Sequence, residues 1–402
     1  MYSFWLVIFW LSIFIVCYTY IGYAVVLWLM VKIKETVGGK RVLPAVEDYP
    51  EVTLLVTAYN EKDYVDEKVK NSLELDYPED KLKLVWITDG SDDGTPDLLR
   101  NYPEVTVHYK PERAGKITAM NRGIKLIDTP IVIFSDANAM LSRESVKRIV
   151  NLFANPETGC VAGEKRIFNN EKDMAVGAGE GLYWKYESFL KRYDARLYSV
   201  VGAAGELFAI RREYYAEVED DTLLDDFIIS LRIAMQGHTT QYDPYAYACE
   251  HSSENVKEEL KRKIRIAAGG FQSMVRLAPL LNIFKYGLLS FQYISHRVLR
   301  WTLAPLSLML LLVSSFALAV LTGFSLPFGE GWVGASAFWL QICFYTMALL
   351  GWFLENRHIK LKILFVPYYF FIMNYAVYLG FFRFLKKSQN VVWERAKRRS
   401  TA

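Results

Sequence analysis

The 402-residue sequence contains only four cysteines, and they stand far apart in the chain. They are Cys17, Cys160, Cys249 and Cys343. No two of them have the spacing of a zinc site or of a compact disulfide framework, so both kinds of fold are excluded. We expect reduced cysteines packed among apolar side chains.

The sequence also lacks an excess of charge of one sign, because its formal net charge at pH 7 is only +3. Such a balance argues against nucleic acid as a partner. Many lysines and arginines stand beside apolar segments, where anionic lipid and membrane topology explain them. Membrane lipid, and no nucleic acid, is therefore the expected partner.

Charge is absent altogether from residues 1–31, and the first charged residue is Lys32. This apolar segment is long enough to cross a bilayer core. A cleaved signal peptide is the alternative, but it would have a charged start, a shorter apolar segment and a small-residue cleavage site. Residues 1–31 are predicted to form an N-terminal transmembrane helix. Basic residues beside a span stay in the cytoplasm, so Lys34, Lys40 and Arg41 predict an external N-terminus.

Uncharged apolar segments return only near the C-terminus, at residues 301–329, 331–354 and 363–382. They predict transmembrane segments within residues 301–385, followed by a basic tail over residues 386–402. Three crossings would put this tail outside, whereas its basic residues favour the cytoplasm. Pro367 and Asn374 make residues 363–382 the candidate for a re-entrant or interfacial segment.

Between these segments, residues 42–260 alternate between strand and helix patterns. Residues 52–57, 84–87 and 105–107 are predicted strands, and each is followed by a polar turn and a helix. Residues 131–134 are a fourth strand, uniformly apolar as in a buried parallel sheet. The pattern predicts an α/β domain with a mostly parallel sheet.

Polar residues follow each of these predicted strands. In open parallel sheets, ligands lie beyond the carboxyl ends of the strands, so Asn60, Asp89, Lys116 and Asp136 are expected to face one crevice. A carboxylate behind a buried strand needs a partner. A divalent cation that bridges a diphosphate is a suitable partner for Asp136. The alternative is that Asp136 caps a helix beginning near Ser142.

Two adjacent acids, Asp225 and Asp226, precede an apolar helix pattern over residues 227–232. Neighbouring carboxylates raise one another's pKa, and a carboxylate with a raised pKa can act as a general base. The alternative is that both acids only favour the positive end of the helix dipole.

Residues 261–300 mix basic and apolar side chains, a pattern typical of interfacial amphipathic helices. A helix packed on the soluble domain is an equal alternative. The segment begins with a basic run that contains Arg262 and Arg265. This run is either a solvated or lipid-facing surface, or a source of cations for a departing phosphate.

Seven short motifs follow one another in the chain: Thr57–Glu61, Asp89–Thr95, Gly115–Lys116, Ser135–Asn138, Gly202–Phe208, Asp225–Asp226 and Arg262–Gly270. Their order resembles that of the membrane-bound family 2 glycosyltransferases, which include cellulose, chitin, hyaluronan and poly-N-acetylglucosamine synthases. The resemblance covers about residues 50 to 275 and the flanking spans. It implies a doubly wound GT-A type nucleotide-sugar domain flanked by transmembrane helices.

The resemblance also implies a role for individual residues. A nucleotide-sugar donor would be bound by Thr57, Tyr59, Glu61, Asp89, Lys116 and Asp136. Mg²⁺ or Mn²⁺ would be held by Asp136 and Asn138, the leaving diphosphate by Arg262 and Arg265, and the acceptor by Gly205 and Glu206. Asp226 would be the catalytic base, with Asp225 beside it.

Two motifs depart from the family pattern. The Asp-x-Asp motif reads Asp136-Ala137-Asn138, and the Gln-x-x-Arg-Trp motif keeps Arg265 but has Ile266 in place of Trp. That Trp stacks on the acceptor sugar in the family. The expected reaction is still an inverting transfer of a sugar, from a UDP-sugar to a glycan or lipid-linked acceptor.

This reaction is expected at the cytosolic face of the plasma (inner) membrane, with possible export subunits as partners. Single addition of a sugar to a polyprenyl or other lipid acceptor is the alternative within enzymes. The alternative of another class is an inactive scaffold or channel subunit of an export system.

Overall fold

The computed structural model describes residues 1–39, 44, 46–168, 176–251, 256–324, 332–356 and 361–387. Nearly all of the predicted basic tail, from residue 388 onward, lies outside the described residues.

In the part of the chain that the structure describes, eight strands form one sheet. They are β1 Val52–Ala58, β2 Leu82–Asp89, β3 Val105–Lys110, β4 Ile131–Asp136, β5 Met140–Leu141, β6 Thr158–Ile167, β7 Leu207–Arg211 and β8 Thr239–Glu250. Their order across the sheet is β3-β2-β1-β4-β7-β6-β8-β5. The strands β3, β2, β1 and β4 are mutually parallel, whereas β7 runs antiparallel to both of its neighbours. This mixed, mostly parallel sheet confirms the predicted α/β fold.

The helices begin with α1 Tyr2–Cys17, which continues through a π-helical turn at Tyr18–Gly22 into α2 Tyr23–Gly38. The α/β domain contains α3 Lys62–Leu73, α4 Thr95–Leu99, α5 Lys116–Ile124, α6 Ser145–Leu152, α7 Val176–Leu197 and α8 Asp225–Met235. The C-terminal region contains α9 Val256–Arg276, α10 Ile283–Tyr286, α11 Leu288–Tyr293, α12 Leu299–Trp301, α13 Leu303–Leu321, α14 Trp332–Asn356 and α15 Lys362–Leu385.

Helices cover both faces of the sheet. On one face, Val65 of α3 and Val146 of α6 pack into a core with Leu54 and Ile133. The opposite face packs against α5 and α8, through residues such as Ile228. Strand β4 is buried on both faces, which explains its uniformly apolar sequence. The predicted doubly wound arrangement is therefore confirmed.

The carboxyl ends of the parallel strands meet at one edge of this sheet. Thr57 at the end of β1 pairs in register with Ile87 of β2 and with Asp136 of β4. The alternative that Asp136 caps a helix near Ser142 is wrong, because β5 follows and α6 begins only at Ser145.

Among the described residues, four helices are long and apolar enough to cross a membrane: Tyr2–Gly38, Leu303–Leu321, Trp332–Glu355 and Ile363–Leu385. The first of them extends seven residues beyond the predicted end at residue 31. Its 37 residues span about 55 Å, well beyond a hydrocarbon core of about 30 Å. The second half of this helix packs on the α/β domain, since Leu27 and Val31 share a buried cluster with Leu190 of α7.

The segment predicted as interfacial begins inside a helix. Helix α9 starts at Val256 and crosses the predicted boundary between residues 260 and 261. It packs along α15, where Ala267 lies against Gly380. Helix α15 is continuous from Lys362 to Leu385. A re-entrant segment is therefore wrong for these residues, because the chain has no break at which it turns back.

Candidate active site

Lys116 is the centre of a buried polar cluster at the carboxyl edge of the sheet. It begins α5, directly after Gly115, whose φ of +101° favours glycine. Its Nζ lies 2.8 Å from Oδ1 of Asp136 and 3.2 Å from Oδ2 of Asp225. Burial lowers the Lys116 pKa, but these carboxylates outweigh it and raise the pKa above its ordinary value. The structure thus brings together residues that lie more than 100 positions apart.

Asp226 lies in the first turn of α8, beside Asp225. The residue at the N-cap of this helix is Leu224, which has no side-chain oxygen for capping. Burial and the neighbouring Asp225 raise the pKa of Asp226 to about 7, although Lys116 acts in the opposite direction. A carboxylate with this pKa accepts a proton readily near neutral pH.

Gly205 lines the space between Lys116 and Asp226. A Cβ atom at this position would lie 3.5 Å from Nζ of Lys116 and 3.6 Å from Cγ of Asp226. Its neighbour Glu206 forms an ion pair with Lys165. Burial raises the Glu206 pKa, but Lys165 and Arg262 outweigh it and hold the pKa below its ordinary value. Glu206 is therefore an ionised carboxylate beside the cluster.

The two predicted phosphate-binding arginines lie one turn apart on α9. Burial and the neighbouring Arg262 lower the pKa of Arg265, an effect that the carboxylates of Asp225, Asp136 and Asp226 oppose. Helix α9 therefore places the guanidinium of Arg265 near the carboxylates of the same cluster.

The predicted nucleotide-binding residues surround the ends of β1 and β2. The guanidinium of Arg113 lies over the ring of Tyr59, 3.5 Å from its centroid. Asn60, at a φ of +53°, exchanges two hydrogen bonds with Asp92: its Nδ2 donates at 2.7 Å, and its Oδ1 accepts from the Asp92 N–H at 3.0 Å. The Glu61 N–H donates to Oγ1 of Thr95 at 3.0 Å. These contacts join the two loops into one rim.

Asp89 has a structural role that the sequence does not reveal. Its Oδ2 accepts the backbone N–H groups of Ala114 and Gly115, at 2.9 and 2.7 Å. These bonds hold the turn that begins α5 and so place Lys116. Its Oδ1 is buried and has no hydrogen-bond partner within the described part of the chain. The predicted contact of Asp89 with the nucleotide remains a prediction.

Asp136 and Asn138 are the residues predicted to hold a metal ion. Burial raises the pKa of Asp136, an effect that Lys116 opposes. Within the described residues, no group of three or more His, Cys, Asp or Glu side chains could hold a metal ion. One carboxylate and one amide oxygen suit Mg²⁺ or Mn²⁺ only when substrate phosphates complete the coordination. The residues fit an ion that binds together with a diphosphate.

A buried lysine holds the segment that contains Asp136 and Asn138 by hydrogen bonds at both of its ends. Nζ of Lys68 donates to Oγ of Ser135 at 2.8 Å and to the carbonyl oxygen of Ala139. Burial lowers the Lys68 pKa to about 7, although Asp136 and Glu250 act in the opposite direction. Lys68 is one of the buried residues of α3: Val65, Lys68, Val69 and Ser72. Helical spacing from Val65 and Val69 is thus a sequence signal that places Lys68 on the buried face.

The contacts of a second buried lysine, Lys165, could not be predicted from the sequence. Lys165 of β6 forms ion pairs with Glu206 and with Glu250 of β8, the latter at 2.5 Å. Nζ of Lys165 and of Lys263 each lie 5.8 Å from the centroid of the Trp184 ring. These residues come from four separate elements, so no local spacing predicts their contact.

Comparison with known proteins places this site in a family. The family described as "Glycosyltransferase like family 2" matches residues 50–269. A poly-beta-1,6-N-acetyl-D-glucosamine synthase of Staphylococcus aureus is 26% identical over 240 residues, which are 58% of this chain and 57% of that protein. The probable glycosyltransferase YdaM of Bacillus subtilis is 25% identical over 261 residues, 60% of this chain and 59% of that protein. The chain thus matches little more than half the length of these relatives.

A solved structure shares the fold over nearly the whole chain. It is the mannosyltransferase PcManGT from Pyrobaculum calidifontis, in complex with GDP-Man and Mn²⁺. The TM-score is 0.69 at 23% identity, and the alignment covers 95% of this chain and 100% of that one. The family match includes more than half of the 402 residues, and it includes the buried polar cluster of Lys116, Asp136, Asp225 and Asp226. The chain therefore belongs to glycosyltransferase family 2.

Proposed function

We propose that this protein transfers a sugar from a nucleotide-diphosphate donor, a UDP-sugar, to a hydroxyl of a glycan or lipid-linked acceptor, with inversion at the anomeric carbon. The membrane helices favour an acceptor presented at the membrane face, with the catalytic domain in the cytoplasm. Relatives named as polysaccharide synthases favour a glycan acceptor.

In the proposed step, Asp226 removes the proton from the acceptor hydroxyl as its oxygen attacks the anomeric carbon. The new glycosidic bond forms as the bond from that carbon to the diphosphate breaks. Lys116, Arg262 and Arg265 stabilise the negative charge of the departing nucleoside diphosphate. The products are the glycoside, the nucleoside diphosphate and a proton on Asp226.

The observation that carries this proposal is the environment of Asp226. Its pKa is raised to about 7, and it lies beside Gly205, where a Cβ atom would be in van der Waals contact with both Asp226 and Lys116. An acceptor hydroxyl at Gly205 would contact the base from one side, while a diphosphate at Lys116 and Asp136 would leave on the other. The cluster therefore combines a base, a cationic leaving-group site and a glycine that adds no side chain between them.

Asp136 and Asn138 are the residues that would hold Mg²⁺ or Mn²⁺. A bound divalent ion supplies positive charge to the diphosphate, both in the donor and as it leaves. The negative charges of Asp136, Asp225 and Asp226 require such a counter-charge before a diphosphate can bind beside them. The solved mannosyltransferase binds Mn²⁺ together with GDP-Man, which supports the same arrangement here.

Ile266 favours a second candidate, the addition of a single sugar to a polyprenyl or other lipid acceptor. It stands where the polymerising enzymes have the Trp that stacks on the growing chain. An inactive scaffold, the third expectation, is disfavoured by a cluster that keeps its base, its lysine and its arginines together.

The decisive experiment incubates membranes that contain the protein with radiolabelled nucleotide sugars, UDP-linked and GDP-linked, and sizes the products. A long polymer supports the synthase function, and one added sugar supports the lipid-acceptor transferase. Membranes with the Asp226→Asn variant are the control for activity from other enzymes. Absence of any product with every donor and acceptor would contradict an enzymatic function.

The anomeric configuration of the first product tests the mechanism separately. Product NMR is expected to show inversion relative to the donor. Retention would exclude a single displacement with Asp226 as base, even if the transferase activity itself were real.

A further inference from the structure

Helix α9 carries a stripe of residues that continues beyond the two arginines assigned to the leaving diphosphate. Its members are Arg262, Arg265, Gly269, Gln272 and Arg276. Intervals of three and four residues place all five on one face of a helix. The carboxylates of the active-site cluster oppose the lowering of the Arg265 pKa by burial and Arg262, so this face of α9 is directed toward the active site.

The C-terminal half of this stripe binds the segment that leads into α8. Oε1 of Gln272 accepts the backbone N–H of Leu223 at 3.0 Å, and its Nε2 donates to the carbonyl oxygen of Asp221 at 2.8 Å. The guanidinium of Arg276 donates to Oγ1 of Thr222 at 2.7 Å and to Oδ1 of Asp221 at 2.5 Å. Two side chains of one helix face thus hold residues 221–223.

Gly269 allows α9 to approach this segment closely. A Cβ atom at this position would lie 2.7 Å from Cγ of Leu224 and 3.0 Å from Cβ of Leu223. Nonbonded carbon atoms normally lie about 3.5 to 4.0 Å apart, so a larger residue would push the helix and the segment away from each other. Helix α9 and the segment are therefore in direct contact between Arg265 and Gln272.

The position of this segment bears directly on Asp226, which follows it in the first turn of α8. Helix ends fray, and the N-cap residue Leu224 makes no side-chain bond that would hold the first turn of α8. The bonds from α9 supply a hold from outside the helix. A reacting group that is misplaced by about 1 Å can cost roughly a hundredfold in rate, so the distance from Asp226 to Arg265 matters for the transfer step.

The same segment is also bound to the helix that begins with Lys116. Nδ2 of Asn121 in α5 donates to the carbonyl oxygen of Val218 at 2.8 Å. Residues 218–223 therefore contact α5 at one end and α9 at the other, and they lead into α8. The helices that bring Lys116, the two arginines and Asp226 to the active site are joined through this one segment.

We propose that Gln272 and Arg276 are positioning residues for the transfer step, which fix residues 221–224 on α9 and so keep Asp226 in place relative to Arg265. This role rests on the proposed function, because it requires Asp226 to be the base. The donor site is assigned to other residues and is left unchanged by the loss of these bonds. Their loss should therefore lower the rate of transfer and leave the affinity for the donor intact.

Gln272→Leu removes both hydrogen bonds of this side chain and keeps its approximate size. The purified full-length protein is assayed in detergent with the labelled nucleotide sugar that gives product in the membrane assay. We expect kcat to fall by roughly tenfold to a hundredfold, while the donor KM stays near that of the parent. Calorimetry with UDP and Mn²⁺ should likewise show the parent affinity. An unchanged kcat would overturn the proposal.

Gln236→Leu is the matched control, because Nε2 of Gln236 donates to the carbonyl oxygen of Tyr214 at 3.2 Å, at the opposite end of α8. It should keep the parent kcat. A loss of kcat equal to that of Gln272→Leu would mean that any disturbance of α8 slows transfer, and it would overturn a specific role for the α9 contacts.

Arg276→Lys is a milder variant that decides the question if Gln272→Leu does not fold. Lysine keeps the positive charge, but its single ammonium cannot reproduce the fork that reaches both Thr222 and Asp221. We expect a smaller loss of kcat, again without a change in donor KM. Thermal unfolding in detergent gives the folded fraction of each variant. A rate per folded molecule equal to that of the parent would leave both residues with a structural role only and overturn the proposal.

The Asp226→Asn background separates this inference from the proposed function. If Gln272 acts through Asp226, adding Gln272→Leu should not lower the residual transfer rate of Asp226→Asn any further, because the group that it positions has already lost its basicity. An equal fold-loss in both backgrounds would overturn the inference and leave Asp226 as the base. Transfer by Asp226→Asn alone at close to the parent rate would instead refute the base, and the positioning role would be refuted with it.

Discussion

Two buried clusters of charged residues in this protein contain similar side chains but differ in how their carboxylates are paired. The Lys116 cluster, defined by Lys116, Asp136, Asp225 and Asp226, surrounds one lysine with three carboxylates. The His296 cluster, defined by Glu187, Asp194, His296, Arg297 and Arg300, lies where the membrane helices join α7. In the first, negative charge is in excess. In the second, each carboxylate meets several donors.

In the His296 cluster, each carboxylate contacts more than one donor. The ring nitrogens of His296 lie 2.7 Å from Asp194 and 2.7 Å from Glu187. Glu187 also pairs with Arg297 and Arg300, each at 2.9 Å. Burial raises the Glu187 pKa, but the two arginines outweigh it and hold the pKa well below its ordinary value. The cluster thus stabilises the charged form of Glu187.

The Lys116 cluster does the reverse for Asp226. Its pKa rises to about 7 because burial and Asp225 act against ionisation more strongly than Lys116 favours it. A general base needs a raised pKa of this kind, whereas a carboxylate that stabilises the fold through ion pairs needs a low pKa. The comparison teaches that buried carboxylates beside cations can have their pKa shifted in opposite directions, and that the raised pKa of Asp226 suits it to accept a proton.

Asp226→Asn is expected to have the largest effect on activity. It keeps the shape of the side chain and removes its basicity, so transfer should fall by roughly two to four orders of magnitude while donor binding survives. The raised pKa means that the charged carboxylate opposes folding as the pH rises through about 7. At pH 8 the Asn variant should therefore melt no lower than the parent. Transfer at close to the parent rate would show that Asp226 is not the base.

Glu187→Gln is the matched change in the His296 cluster. It should lower stability and leave the transfer rate unchanged, whereas Asp226→Asn should lower the rate and leave stability unchanged. The depressed pKa means that ionised Glu187 stabilises the fold at neutral pH, and this stability is lost as the pH falls through the folded-state pKa. Removing the charge leaves Arg297 and Arg300 without their carboxylate, at a cost on the order of 3 kcal/mol. Thermal unfolding in detergent should show the loss. The transfer rate per folded molecule should stay near that of the parent, and a large rate loss in a stable protein would break the comparison.

The Lys116 cluster could be predicted from sequence because it follows a local rule. Each predicted strand ends in a polar turn, and parallel strands bring those turns to one edge. Asn60, Asp89, Lys116 and Asp136 were expected together on this ground, and the structure brings Lys116 and Asp136 into contact at 2.8 Å. Adjacent acids at a helix start singled out the pair Asp225 and Asp226, and the family resemblance selected Asp226 as the base.

The His296 cluster could not be predicted, since no pattern joins its members. Asp194 and His296 are 102 positions apart, and Tyr23, which donates to Asp194 at 2.5 Å, comes from the N-terminal helix. The sequence predicted that this helix ends at residue 31, where the uncharged segment stops. In the structure it continues to Gly38 and packs against α7. Tertiary contacts decide such positions, and a single sequence does not contain them.

Lys116→Met tests whether the lysine occupies the position of the metal charge before the donor binds. Its Nζ lies 2.8 Å from Oδ1 of Asp136, so it competes with a divalent ion for that oxygen. Without nucleotide, Mn²⁺ should bind the variant about tenfold more tightly, because the repulsion between two cations at this distance is removed. Electron paramagnetic resonance of free Mn²⁺ measures the affinity.

Lys125→Met is the control for this change, because it removes an exposed lysine that pairs with Glu217 on the surface. It should leave the Mn²⁺ affinity of the free protein unchanged. Equal affinities in the Lys116 variant and the parent would mean that Lys116 and the ion use different oxygens, and that Asp136 is not the shared ligand.

Asp225→Asn should have the smallest effect and the most specific one. It removes the like charge that, after burial, contributes most to the raised pKa of Asp226. The base is active when deprotonated, so activity is lost as the pH falls through this pKa, near 7 in the parent. A lower pKa moves the acid limb of kcat/KM to lower pH, and the weaker base lowers the plateau somewhat. Asp97→Asn removes an exposed carboxylate paired with Arg100 and should leave the profile in place. An acid limb that does not move in Asp225→Asn would assign the titration to another group, and the carboxylate excess would then not be the source of basicity in this site.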